Sequence, residues 1–264
     1  VDEAVFLGLC FHKSLGIFYK VSCFDKCEIT LCSVVVRHCL TTVICNLSVS
    51  EVVDNNIYTM NGDVIIDGTH KKRSAGAAKM VLKSTNIYSS GTGVLQNVEI
   101  DNSDRELKLL DPYSEGRQTK LTINGRLNFA SESHFNIGGS NLEFGDAATV
   151  TPGDGEFNEL RMIQTVGSSS LGVTKVYSDA ARKFTFPFGF KLAGTSYYTP
   201  ATISYMSAST YGSVTTRPVS GYAFRTPESL NCYWISEDRG FEDAGGLTQT
   251  YYWYGDGLGE ATPE

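Results

Sequence analysis

The sequence predicts an all-β protein in which a short, β-helix-like β-solenoid is followed by an antiparallel β-sandwich. Three observations lead to this fold class. Apolar residues alternate with polar ones in very short stretches between Leu121 and Val150, glycine and asparagine separate these stretches, and longer alternating stretches follow residue 155. Alternation at period two is the pattern of strands that bury one face.

Four apolar pairs at period two define the predicted solenoid: Leu121/Ile123, Leu127/Phe129, Phe135/Ile137 and Leu142/Phe144. Their first members are 6, 8 and 7 residues apart. Three such steps amount to about 21 residues, roughly one solenoid coil. Strands this short are stable only when they stack on similar strands. Glycine and asparagine lie beside or between these pairs, where the chain must turn sharply: Gly125, Asn136, Gly138, Gly139, Asn141 and Gly145.

The solenoid-like region is predicted to span 57–152. Short apolar stretches at 64–67, 80–82, 93–100 and 107–110 lead into the four pairs, with less regular spacing. The segment 151–155 contains one proline and two glycines, which is typical of a boundary between modules.

The region 153–264 is predicted to form the sandwich, truncated at its C-terminal end. Seven alternating stretches with turn residues between them are typical of an antiparallel sandwich. They lie at 159–166, 172–178, 183–190, 201–207, 213–219, 231–236 and 247–254.

Residues 1–56 form a cysteine-rich segment of uncertain nature, with six of the seven cysteines and two of the 26 glycines. The apolar stretch 29–45 is short for a membrane span and has Arg37 and His38 in its middle, where a charge costs about 2.5–3.5 kcal/mol on insertion. A buried strand, a span, a signal and sequence that is not natively coding all stay open, as does the disulfide pairing. The chain begins with Val1 and its first methionine is Met60, which indicates a fragment, a processed form or an upstream extension of the reading frame.

The composition argues against a nucleic-acid binder. Charged residues make up 19% of the 264 residues, the formal net charge is −7, and the one basic run is Lys71, Lys72 and Arg73. Fourteen tyrosines, fourteen phenylalanines and many glycines are typical of extracellular all-β proteins.

No catalytic, cofactor-binding or metal-binding residue is predicted, so we expect a protein that is not an enzyme. His134 lies in a short turn and strand, and no G-x-S-x-G elbow occurs. Two acidic clusters offer oxygen ligands for calcium or paired carboxylates for a glycosidase, but without a known spacing they are interpreted as solvated turns. These clusters are Asp101, Asp104 and Glu106, and Glu237, Asp238, Glu242 and Asp243.

The strongest binding candidate is the aromatic run 251–254. On a strand, Tyr251 and Trp253 face one side, and Tyr252 and Tyr254 face the other. One pair packs in the core, and Tyr252 and Tyr254 are the candidate sugar-stacking residues. The alternative is an aromatic ladder that only stabilises the sheet.

Residues 159–254 resemble a domain of large, repeat-rich surface proteins of Bacteroidetes-type bacteria, which are exported by the type IX secretion system. The matching stretches are LRMIQTVGSSSLGVTKVY, FTFPFG, YYTPATISY, GSVTTRPV and LNCYWIS, and the upstream ladder resembles the solenoid that commonly precedes this domain. Phe188 and Cys232 depart from the family pattern, and the family's C-terminal sorting domain is missing from the sequence. The resemblance implies an extracellular or outer-cell-surface location, an adhesive or structural role, and no catalytic residues.

These observations predict a non-catalytic structural or adhesive segment of a large secreted or cell-surface bacterial protein. The alternative is a carbohydrate-binding module of an extracellular polysaccharide-processing protein. The third possible functional class is a β-helix lyase or hydrolase. Expected partners are surface glycans or other copies of the parent protein, with no nucleic acid, no cofactor and no membrane contact for residues 57–264.

Overall fold

The computed structural model describes residues 57–72, 78–102, 106–114, 116–221 and 232–252, with backbone alone at 71–72, and also the backbone of six short strands before residue 55. The described chain is almost entirely β-structure, and it contains a β-solenoid of about five coils followed by antiparallel sheets. The predicted fold class is therefore confirmed. Within the described ranges, no helix has the length and apolar character needed to cross a membrane.

The part of the chain before Ile57 contributes short strands. They are β1 Gly8–Phe11, β2 Phe18–Val21, β3 Ile29–Thr30, β4 Val35–Val36, β5 Cys45–Leu47 and β6 Glu51–Asp54. Strands β5 and β6 pair in parallel with strands of the solenoid that follows. The expectations for the cysteine side chains of this segment lie outside the described residues.

Fifteen described strands build the coils. They are β7 Ile57–Met60, β8 Val64–Ile66, β9 Thr69–Lys72, β10 Lys79–Leu82, β11 Asn86–Ser89, β12 Gly93–Leu95, β13 Val98–Ile100, β14 Glu106–Leu110, β15 Lys120–Ile123, β16 Arg126–Phe129, β17 His134–Gly138, β18 Asn141–Phe144, β19 Thr149–Thr151, β20 Met162–Thr165 and β21 Gly172–Val176.

Each coil gives one strand to each of three parallel sheets. Sheet 1 contains β7, β10, β13, β16 and β19; sheet 2 contains β8, β11, β14, β17 and β20; sheet 3 contains β9, β12, β15, β18 and β21. Successive coils are in register: Tyr58 pairs with Met80, Met80 with Val98, Val98 with Leu127, and Leu127 with Val150. The predicted coil length of about 21 residues is longer than the shortest of these sequence separations, from Met80 to Val98. It is shorter than the longest, from Val98 to Leu127.

Alternation decides which side chains enter the core. In β17, Phe135 and Ile137 are buried, whereas His134 and Asn136 lie on the outer surface. The register places similar residues above one another, so that Leu95, Ile123 and Phe144 form one inward stack in sheet 3. Burying each such side chain stabilises the fold by about 1.5–3 kcal/mol. Stacking therefore gives the short strands the buried apolar surface that a single strand cannot provide.

Outward polar side chains join neighbouring coils. Asn86 donates from Nδ2 to Asp63 at 2.7 Å, and Asn136 donates from Nδ2 to Glu106 Oε1 at 2.6 Å. The predicted turn at Gly125 has a steric cause, because a Cβ at this corner would clash with the Gln96 carbonyl oxygen of the preceding coil.

The terminal region consists of seven strands, β22 Lys183–Phe186, β23 Phe188–Leu192, β24 Thr195–Tyr198, β25 Ala201–Ser204, β26 Ser213–Ser220, β27 Cys232–Arg239 and β28 Thr248–Tyr251. Strand β23 continues sheet 2 in parallel and then turns back as β24. Strands β26 and β27 extend sheet 3 as an antiparallel hairpin, while β22, β25 and β28 form a separate antiparallel sheet.

The seven stretches predicted after residue 155 each contain a strand, but the solenoid reaches further than the predicted limit of 152. Strands β20 and β21 pair in parallel with β17 and β18 and complete the last coil. The antiparallel part therefore begins near residue 183. Apolar and polar residues alternate in the same way in the parallel strands of the coils and in the antiparallel strands that follow. The alternation therefore gives no boundary, and the sequence places it at the proline and glycine cluster instead.

Candidate functional site

The predicted aromatic site is described only in part. Tyr252 is 47% exposed just after β28, and its backbone N–H donates to the Pro200 carbonyl at 3.0 Å. Tyr254 lies outside the described residues. Tyr251 packs against Trp234 with ring centroids 4.9 Å apart, and its hydroxyl lies 3.1 Å from the Ser236 hydroxyl. Tyr251 thus lies on the packed side, and Tyr252 is exposed as the alternation predicts.

The acidic clusters of the sequence are engaged by their own neighbours. Asp101 pairs with Lys83 at 2.8 Å, Glu242 accepts a hydrogen bond from Thr210 at 2.9 Å, and Asp104 lies outside the described residues. Within the described ranges, no group of three His, Cys, Asp or Glu side chains is arranged to hold a metal ion.

Lys175 is a buried cation that the sequence analysis missed. It occupies the position that follows Leu95, Ile123 and Phe144 in the inward stack of sheet 3, and it is 1% exposed. Its Nζ donates to the carbonyls of Gly145, Asp146 and Ala148 at 2.5, 2.7 and 3.0 Å, and it lies 5.1 Å from the centroid of the Phe184 ring.

Burial lowers the pKa of Lys175 to about 8. A lysine with a lowered pKa is a potential base or nucleophile. Here its three donor positions are all taken by the turn between β18 and β19, so the side chain fixes the corner of a coil and has no free direction in which to meet a substrate.

Two other potential catalytic side chains are also engaged or enclosed. The His134 Nε2 lies 2.7 Å from the carbonyl oxygen of Glu159. Cys232 is 1% exposed, and burial raises the pKa of its thiol to about 12. A protonated, enclosed thiol is a poor nucleophile.

A groove of about 390 Å³ lies where the outer surface of sheet 2 meets the end of β26, and we call it the junction groove. Its volume is within the range of small-molecule sites, about 300–1,000 Å³. Its polar lining comes from five strands, β14, β17, β20, β23 and β26: Glu106, Asn136, Gln164, Thr165, Lys191 and Ser220.

The register brings this lining together from distant parts of the sequence. Asn136 pairs directly with Gln164 across β17 and β20, and Glu106 is joined to Asn136 by the 2.6 Å hydrogen bond described above. A β-bulge follows, because the next pairing is Gly138 with Thr165 and leaves Ile137 as the extra residue. Gly138 takes a φ of +54°, and its N–H donates to the Asn136 side chain at 2.8 Å. Bulges of this kind redirect neighbouring side chains and often lie beside binding sites.

Gln164 is the unusual member of the groove. It is 2% exposed, and its Nε2 is buried without a hydrogen-bond partner in the described part of the protein. A buried amide group left unpaired costs about 1–3 kcal/mol. The lining combines this amide with a carboxylate, an ammonium group and hydroxyls, so it can both donate and accept hydrogen bonds.

No protein-family model, curated protein or solved structure matches the chain.

Proposed function

We propose that the chain is a non-catalytic structural segment, a stiff spacer with adhesive contacts, of a large secreted or outer-cell-surface bacterial protein. The observation that supports this proposal is the uninterrupted parallel pairing of three sheets through about five coils. In such a stack each coil contacts only its neighbours, so length is added at nearly constant stability per coil. The resemblance to type IX-exported surface proteins supports the proposed location, and glycans or other copies of the parent protein are the proposed partners.

An in-register coil deletion tests the spacer role. Because Met80 pairs with Val98, removal of residues 80–97 joins Lys79 to Val98 without shifting the register. We expect this variant to stay folded and to be shorter by about one strand spacing, ~4.8 Å. Circular dichroism and small-angle X-ray scattering measure both properties.

The matched control removes only residues 80–88, which leaves part of a coil without a position in the sheets. We expect this variant to unfold. If both deletions unfold the protein equally, the coils are not exchangeable units and the spacer proposal fails.

The proposed location has its own test. Antibodies against the folded chain should label intact cells of the source organism without permeabilisation. Labelling that requires permeabilised cells would contradict a surface location, whatever the outcome of the deletions.

A second candidate function is a carbohydrate-binding module, which the exposure of the Tyr252 ring favours. Aromatic faces suit the apolar faces of sugars. If Tyr252 stacks on a sugar, Tyr252→Ala should abolish binding to the glycans that this ring contacts on a glycan array, whereas Tyr113→Ala, at a ring that is 72% exposed elsewhere, should not. Equal binding by both variants would remove Tyr252 from consideration.

A further inference from the structure

We propose that the junction groove is a binding site for a neutral, hydroxyl-rich saccharide, separate from Tyr252. The site goes beyond the spacer role and depends on neither the coil deletions nor the location of the protein. Its centre is the pair of amide side chains Asn136 and Gln164, which lie side by side on β17 and β20.

The unpaired amide of Gln164 indicates that the groove holds a ligand. A leucine or methionine at this buried position would avoid the desolvation of an amide. Gln164 lines the groove, and its enclosed Nε2 can gain a partner from a ligand there when the amide turns towards the groove. An amide side chain offers both a donor and an acceptor, as the hydroxyls of a sugar require.

The remaining polar groups of the groove extend this recognition. Within the described part of the chain, Lys191 forms no ion pair and the Ser220 hydroxyl has no hydrogen bond, so both are available as donors. Glu106 provides carboxylate oxygens on the opposite side, where Asn136 already donates to one of them. Val166 lines the same groove and is 53% exposed, which gives an apolar contact for the C–H groups of a sugar ring.

The charges favour a neutral ligand over an anionic one. The lining of the groove has one charge of each sign, Glu106 and Lys191, and so no formal net charge. The chain as a whole has a formal net charge of −7, which repels polyanions.

A peptide fits the groove less well than a saccharide. Peptides commonly bind β-proteins by adding a strand at a free sheet edge. The groove instead lies on the outer surface of sheet 2, where the backbones of β14, β17, β20 and β23 already pair with one another. Apart from Val166, none of its described side chains is an exposed apolar anchor.

The test uses the full chain, labelled with ¹⁵N, and soluble probes. Cellohexaose, xylohexaose and mannohexaose represent neutral saccharides; oligogalacturonate represents acidic ones, and a mixture of short unstructured peptides represents the other class. We expect at least one neutral probe to shift the side-chain amide signals of Gln164 and Asn136. Shifts caused only by oligogalacturonate or by peptides, or no shifts at all, would overturn the proposal.

Gln164→Leu separates binding from folding. Because the substitution removes an unpaired buried amide, the melting temperature should stay equal or rise, while affinity for the neutral probe falls about tenfold. Asn128→Leu is the matched control: Asn128 is an outward amide on sheet 1 that bonds to Thr151 at 2.7 Å, and its loss should leave affinity unchanged. Tyr252→Ala should also retain affinity. Unchanged affinity in Gln164→Leu would show that the groove is not the site.

Discussion

The coils at 57–176 and the terminal region at 183–252 bury different kinds of side chain. The coil core is mainly aliphatic, and its members repeat at the same register positions. Aromatic rings are prominent in the core of the terminal region, where Tyr205 stacks on the partly buried Phe241 at 4.3 Å and Phe184 meets Phe186 at 4.9 Å. A repeated coil is packed by its neighbours, whereas the last coil must be covered by a structure that has no repeat. Large rings cover more surface for each ordered side chain.

Polar side chains also differ between the coils and the end of the solenoid. In the described coils, outward amides and carboxylates bond from one coil to the next. At the end of the solenoid, Lys175 and Gln164 are instead almost fully buried. The structure therefore departs from simple stacking where the coils end and the terminal region begins. The junction groove lies at the same place.

The largest effect is expected where the two regions meet in the core. Phe144 is fully buried in the inward stack of sheet 3, and its ring lies 5.3 Å from that of Phe184. Phe144→Ala should lower the free energy of unfolding by about 3–5 kcal/mol, because it removes buried surface and leaves a cavity. Urea titration followed by circular dichroism measures the loss.

The same titration decides whether the two regions unfold together. Both tryptophans, Trp234 and Trp253, belong to the C-terminal part of the sequence, so their fluorescence reports on that part. Phe144→Ala should move the fluorescence and circular dichroism transitions together. A shift in only one of the signals would mean that the coils and the terminal region are independent units.

Lys175→Met is expected to have the next largest effect. It should destabilise the protein by about 2–3 kcal/mol, because three carbonyls of the β18–β19 turn lose a charged donor. Lys120→Met is the control, since Lys120 also lies in sheet 3 but its partly exposed side chain pairs with Glu143 at 3.1 Å. The control should change stability by less than about 1 kcal/mol. Equal losses in both variants would contradict a special role for the buried lysine.

Strand positions were largely predictable from the sequence, but strand partners were not. The pairs Leu121/Ile123 and Phe135/Ile137 lie buried in strands, as period two requires. The local pattern of β20 and β21 contains nothing that distinguishes parallel from antiparallel pairing. Their assignment to the last coil depends on contacts with β17 and β18, which lie one coil earlier in the chain.

The groove and the buried lysine escaped prediction for related reasons. Glu106, Asn136 and Gln164 are about one coil apart in the sequence, so they become neighbours only when the coils stack. Lysine is almost never fully buried, so a lysine within an alternating strand is ordinarily expected at the surface. The one local signal was the position itself: Lys175 has the same alternation as Val173, which is fully buried.

The lowered pKa of Lys175 predicts a smaller, pH-dependent effect. Its ordinary pKa of 10.5 applies in the unfolded chain, and burial lowers it to about 8 in the folded protein. Between these values the unfolded state binds more protons, so the free energy of unfolding should rise with pH by at most about 1.4 kcal/mol per pH unit. Below pH 8 this contribution is constant.

A buried thiol and buried tyrosines limit the pH range of this rise, because burial raises the pKa of Cys232 from 9 to about 12 and its ionisation favours the unfolded state above pH 9. Burial raises the pKa of Tyr205 to about 12, so above pH 10 its ionisation favours the unfolded state and stability should fall again. Urea titrations at half-unit steps from pH 7 to 10 should show the rise between pH 8 and 9 in the unaltered protein and not in Lys175→Met, because at higher pH ionisation of the Cys232 thiol in the unfolded chain opposes the rise. The same rise in the variant would assign it to other groups.

The smallest predicted effect is stabilising and concerns the hairpin between β23 and β24. Its two turn residues, Ala193 and Gly194, both have positive φ, +49° and +90°. Two-residue turns of this kind favour Asn followed by Gly, because asparagine tolerates the left-handed region better than alanine. Ala193→Asn should therefore raise stability by about 0.5–1 kcal/mol, and Ala193→Val should lower it, because a β-branched side chain is strained at positive φ.

Hairpin turns of this type belong to the terminal region, so the substitution also distinguishes the two regions. Ala193 is exposed, and the change therefore acts on backbone strain rather than on packing. If the terminal region unfolds together with the coils, Ala193→Asn should shift both the fluorescence and the circular dichroism transitions by the same small amount. If Ala193→Asn shifts only the fluorescence transition, the terminal region unfolds before the solenoid does. The coils then retain their structure when the terminal region is unfolded.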